Sequence, residues 1–139
     1  MKKIFLLFIA AYLLSGCAAG AGSYSAIDDK VRFPNALERL SKDAAFNLAA
    51  KYPPGRTVVE VVPYKENSRF AEYLENALRE RGFSIGQGGI SVNYVADFVE
   101  KTNVYLTVRV NDGYGFSCFY SYDGRGKPVI QQGKSIFGE

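Results

Sequence analysis

Leu14-Ser15-Gly16-Cys17 is the stretch whose residue types and spacing most clearly support chemistry, and that chemistry is lipid attachment. Small side chains ahead of the cysteine let the backbone lie extended in a protease cleft, and the thiol can then accept a diacylglycerol group. This is the bacterial lipobox pattern. It is preceded by a positively charged start, Met1-Lys2-Lys3, and an almost unbroken apolar run over residues 4–14, the layout of a secretory signal. The run is shorter than the roughly 20 apolar residues that cross a bilayer. The expectation is a lipoprotein signal peptide at 1–16, removed by cleavage, with diacylglycerol and an N-acyl chain such as palmitate on Cys17. Each buried methylene contributes about 0.8 kcal/mol, so two or three acyl chains hold where one is marginal. Ala18 stands where an aspartate would signal retention at the inner membrane. The expected location is the outer membrane, lipid-anchored, with the domain facing the periplasm.

The remaining chemistry is thinner. The chain has 139 residues, 17 basic, 14 acidic and no histidine. Without histidine, Ser-His-Asp and Cys-His mechanisms and His-containing zinc sites are excluded. Removing Lys2 and Lys3 with the signal leaves 15 basic against 14 acidic residues, a balance of +1 on 123 residues. That lacks the electrostatic footprint of nucleic-acid binding. Once Cys17 carries lipid, only Cys118 remains, too few thiols for an intramolecular disulfide or a structural zinc site. Asp97 and Glu100 are a weak carboxylate pair, because acid/base work needs convergent groups and these fall on a strand and in the turn after it. Gly86-Gln87-Gly88-Gly89 opens no helix, so it reads as a turn and not a phosphate cradle. No catalytic constellation emerges, and no enzyme activity, metal or small-molecule substrate is expected.

The elements that must position any site follow from periodicity. Residues 17–30, rich in alanine, glycine and serine, read as a lipidated cysteine and flexible tether, and 31–139 as one periplasmic domain. Asn35 with Glu38 suggests a capping box for a first helix bearing Leu37, Leu40, Ala44 and Leu48, stopped by Tyr52-Pro53-Pro54-Gly55. Residues 57–62 read as a short strand ended by Pro63. Phe70, Tyr73, Leu74, Ala77 and Leu78 define a second helix, capped by Asn67 or Ser68 and closed by Gly82. Alternation then gives strands around 90–98, 104–110 and 115–122, with a weaker one over 129–136 that starts at Pro128 and is interrupted by Gly133. The fold class is α+β: a small two-layer domain with a mainly antiparallel sheet of about four or five strands and two helices. The second helix is expected on the sheet stripe Val104, Leu106, Val108 and Val110.

The segment 114–122 carries five aromatics in nine residues. Alternation puts Phe116, Cys118, Tyr120 and Tyr122 on one face and Ser117, Phe119 and Ser121 on the other. Aromatics favour strands for packing reasons alone, so a central strand buried on one face accounts for most of them. Cys118 reads as a small buried hydrophobe. A loop at Asp112-Gly113 places Val110 opposite either Gly115 or, one residue longer, Phe116; the longer loop is chosen because it gathers the apolar positions on one face. Tyr105, Thr107 and Arg109 then share the other face with Phe119. Either that face docks a partner, with Tyr105, Arg109 and Phe119 as candidate contacts, or the first helix covers it.

Together, the lipobox at 14–17, Tyr52-Pro53-Pro54 with Thr57 and the strand after it, the helix over 70–79 closing in Gly82-Phe83, and the meander with 105–108 and Tyr120 resemble the conjugal transfer protein TrbH family. The resemblance runs through most of the chain after the signal. It implies an outer-membrane lipoprotein of a conjugative type IV secretion (mating-pair formation) apparatus, beside outer-membrane or periplasmic channel proteins, and it supplies no catalytic residues. A lipoprotein of outer-membrane or lipopolysaccharide assembly and a ligand-binding periplasmic lipoprotein are the alternatives. Cys17→Ser should abolish acylation while leaving the domain able to fold. Mass spectrometry of the wild type, showing Cys17 modified or unmodified, checks the assignment.

Overall fold

The computed structural model describes residues 22–27, 35–100, 103–122 and 128–138. The expected signal, Cys17, the domain start at Val31 and the turn at 123–126 lie outside these residues. The chain order is β1 (Tyr24–Ser25), α1 (Ala36–Lys51), a 3-10 turn (Pro54–Arg56), β2 (Val58–Val61), α2 (Arg69–Glu80), β3 (Ser84–Ile85), β4 (Ile90–Val99), β5 (Asn103–Val110), β6 (Gly115–Tyr122) and β7 (Pro128–Phe137). One sheet runs β3-β2-β4-β5-β6-β7, with β1 added alongside β4. Strands β4 to β7 are antiparallel, whereas β1 and β2 both run parallel to β4, and β3 parallel to β2. The α+β class stands, with a mixed sheet of more strands than expected.

The expected tether is corrected where it meets the sheet. Tyr24 and Ser25 pair with Val95 and Ala96, Ala26 N donates to Ala96 O, and Tyr94 N donates to Ser23 Oγ at 3.1 Å. Ile27 is fully buried. The polar residues of this segment enter the domain because the edge of β4 beyond Val92 has backbone groups that β2 does not reach.

Both helices lie on one side of the sheet. Val59, Val61, Val92, Tyr94, Ala96, Val104, Leu106, Val108, Phe116, Cys118 and Tyr120 form the inner face and share one core with Leu37, Leu40, Ala44 and Leu48 of α1 and Phe70, Leu74, Ala77 and Leu78 of α2. The expected seat of α2 is shifted: it packs mainly on α1 and over β2 and β3, with the Phe70 ring 4.8 Å from that of Tyr94 on β4. The strands on the other side are reached from α1. Asn47 accepts from Lys134 on β7, and Tyr52 donates to Asp112 Oδ2 at 2.7 Å in the β5–β6 turn.

Local signals resolve in different ways. Ser68 caps α2, its Oγ accepting from Ala71 N, and Gly82 takes φ +93° after the helix. The capping box on α1 does not form: Asn35 makes no side-chain cap bond, and Glu38 accepts from Lys42 instead. Gly86 to Gly89 carries the chain past the start of β2, between β3 on one side and β4 on the other. A Cβ on Gly89 would lie 1.9 Å from Val58 O, so this glycine is demanded by close backbone approach.

The β5–β6 register is one that neither sequence alternative contained. Val110 N donates to Tyr114 O, and Val108 faces Phe116 and Leu106 faces Cys118. Relative to the chosen longer loop, the pairing is displaced by two residues, which preserves the faces. Asp112 fixes it by accepting from Tyr114 N at 2.9 Å, which closes a tighter turn. At the far edge, β7 shifts register between Phe119 and Tyr120, which face Gly133 and Gln131, so the expected interruption near Gly133 is a bulge in a continuous strand.

Leu74 is fully buried between the helices and the sheet, so Leu74→Ala should lower stability by about 2–5 kcal/mol, read by chemical denaturation. Asp112 provides a pH test. The Tyr114 backbone N–H, then the Tyr52 hydroxyl, hold its carboxyl below the ordinary range. A depressed folded-state value contributes stability above the unfolded carboxylate value, near 3.9, and loses it as pH falls through the folded value. The stability gap between wild type and Asp112→Asn should therefore be present at neutral pH and close as pH drops below about 4.

Candidate functional site

With both helices on the inner face, the opposite face of the sheet is left bare among the described residues. Its residues follow from strand parity: Asn93, Val95 and Asp97 on β4, Tyr105, Thr107 and Arg109 on β5, Ser117 and Phe119 on β6, and Ser135 and Phe137 on β7. Sequence reasoning left open whether the first helix covers this face. It does not, because the apolar stripe of α1 points into the core on the other side.

The three candidate docking residues come together here. Tyr105 and Phe119 are cross-strand partners with ring centroids 6.1 Å apart, and Phe119 is 47% exposed. Arg109 lies four residues further along β5, its guanidinium 6.0 Å from the ring of Phe137. Between them, the hydroxyls of Thr107 and Ser117 are 2.8 Å apart, and on the far side of the aromatic pair Ser121 donates to Asn103 Oδ1. The result is one hydrogen-bonded hydroxyl pair between an aromatic pair and an arginine near an aromatic ring, and aromatics and arginine are the residues enriched at protein interfaces. Burial, then the nearby Asp97 carboxylate, raises the Tyr105 hydroxyl above its ordinary value, so it stays protonated and can donate.

Phe137 was not singled out from the sequence. Its signal was available in the alternation of β7, but only the register shows that it lies across from Gly115, where an added Cβ would meet its ring at 2.3 Å. Tyr24 and Tyr64 were also missed, because they belong to segments read as tether and loop. Their rings meet edge to face at 5.1 Å.

The other candidates do not converge. Asp97 Oδ1 accepts from Phe98 N, and Glu100 sits in the turn at φ +60°. Cys118 is fully buried on the inner face next to Tyr120, whose hydroxyl burial pushes far up. Among the described residues, no three His, Cys, Asp or Glu side chains could hold a metal ion, and no helix is long and apolar enough to cross a membrane. A groove of about 150 Å³ lined by Gly22, Asn93, Tyr94, Val95, Thr107 and Arg109 runs along the bare face. It is smaller than the roughly 300–1,000 Å³ of small-molecule sites.

Fold and surface define a small two-layer α+β domain with one side of its sheet uncovered by the described residues. The family model for conjugal transfer protein TrbH matches residues 19–128, and the chain belongs to that family, a component of conjugal transfer. No curated protein and no solved structure matches the chain. The matched span takes in β1 to β6, including every candidate docking residue.

Cys118 should be shielded from a thiol reagent in the native protein and react on unfolding. Rapid native labelling would contradict its place under the helices.

Proposed function

We propose that this protein is a non-enzymatic, lipid-anchored outer-membrane component of a conjugative type IV secretion apparatus, which supports channel assembly by binding a channel protein through the bare face of its sheet. The observation that carries the reading is that face: Tyr105, Phe119 and Arg109 stand beside paired hydroxyls on a rigid scaffold, with no helix above them among the described residues. Membership of the TrbH family supplies the conjugative setting. The lipobox at 14–17 supplies the anchor, with acyl chains on Cys17 as the sole non-protein group. An anchor turns a three-dimensional search into a local one, so a weak contact between domains is well occupied at the membrane. The partner is an outer-membrane or periplasmic channel protein. The chain itself has no role in holding DNA.

Arg109→Ala and Phe119→Ala, made separately, test the docking role. Both side chains are on an exposed sheet face, so each variant should keep its stability within about 0.5 kcal/mol and its membrane location, while channel assembly and DNA transfer fall. Unfolding of the Phe119 variant together with full transfer by the Arg109 variant would make the face structural and reject it as the docking surface.

A further inference from the structure

The incorporation of residues 22–27 into the sheet changes where the membrane must be. Cys17 and Gly22 are five residues apart, at most about 18 Å of extended chain. Gly22 is the first described residue and forms part of the groove on the bare face, beside Asn93 and Val95. Gly22 thus sits on the bare side of the sheet, and acyl chains carried on Cys17 would lie within that short reach of this corner.

The corner has a composition suited to such a position. Tyr24, on the bare face opposite Val95, and Tyr64, after β2, are 40% and 43% exposed, and their rings pack on each other. Tyrosine is favoured where one end of a side chain is apolar and the other wet, as at a lipid headgroup layer. Tyr64 is held in place through its backbone: its N donates to Tyr94 Oη at 3.1 Å, and Tyr94 Oη lies 2.7 Å from the buried Ser68 Oγ. The pair is thus exposed on a fixed support, next to the point from which the anchor leaves.

We infer that the corner formed by Gly22, Tyr24, Tyr64 and Asn93 seats the domain on the phospholipid headgroup layer. The inference rests on acylation of Cys17, and it deepens the proposed function by dividing the bare face. The β1–β4 corner meets lipid, and the β5–β7 half, with Tyr105, Phe119 and Phe137, is left to the channel protein.

The chain contains no tryptophan, so single-tryptophan reporters can be placed at will. Full-length acylated protein carrying Tyr24→Trp, Tyr64→Trp or, on the outer side of α1, Phe46→Trp would be reconstituted into phosphatidylethanolamine–phosphatidylglycerol vesicles, with part of the lipid brominated near the headgroup. Flotation with the vesicles reads the anchor, and quenching reads the seat. The expected result is flotation of all three, with blue-shifted emission and loss of fluorescence at positions 24 and 64 and neither at 46. Flotation without quenching at 24 and 64, or with equal quenching at 46, overturns the seat while leaving the anchor intact. Failure to float removes the anchor and the seat with it. A photoreactive residue at position 64 in cells should give no protein adduct, and a specific protein adduct there would reassign the corner to a protein partner.

Discussion

One edge of β4 has to be satisfied by two strands in series. On its other side, β4 pairs without interruption with β5 from Val92 to Val99. On this side β2 reaches only from Ile90 to Val92, and buried backbone donors and acceptors beyond that point need partners. The N-terminal segment provides them at Tyr94, Val95 and Ala96. Tyr94 is the junction: its backbone N–H is held by Ser23, its ring packs on Phe70, and its hydroxyl receives Tyr64 N beside Ser68 at the start of α2. Three stretches of chain far apart in sequence are fixed by one residue.

From that constraint follows the asymmetry of the domain. Strands β1, β2 and β3 all run parallel, so the chain must cross over between them, and helices make the crossings. Both helices fall on the same side, and the core forms there. Among the described residues the other side has only the strand side chains, and its polarity reflects solvent: hydroxyls, Asn93, Asp97 and Arg109 alternate with the buried valines and leucines of the inner face. A face of this kind needs no partner to be stable, yet it displays aromatics at Tyr105, Phe119 and Phe137 that a solvated sheet does not require.

Much of this was legible from residue patterns, for identifiable reasons. The α2 stripe and the alternation of β4, β5 and β6 are long and regular, and they mark the core residues Phe70, Leu74, Leu106 and Val108. The composition of the bare face could be read because faces depend only on parity, which survived an incorrect register at the β5–β6 turn. That register was decided by the Asp112 side chain bonding to Tyr114 N, a local contact that no apolar pattern encodes. Strand β1 was invisible because it is two residues long and belongs to a run of small polar residues; its place depends on a vacancy in a strand far along the chain. Likewise, the helical pattern of α1 shows which of its faces is apolar, but not which side of the sheet it will choose.

The distance along the chain between Ser23 and Tyr94, 71 residues, imposes an order of events. Contacts so remote in sequence wait on loop closure, and they slow folding relative to hairpins such as β5–β6, whose partners are neighbours. As the chain is made or emerges from its N-terminus, residues 22–27 have no place to bind until β2, α2 and β4 exist. Ile27 stays in water until then. The first stretch of the domain to appear is the last to close, and the domain is finished only when its beginning has been folded into its middle.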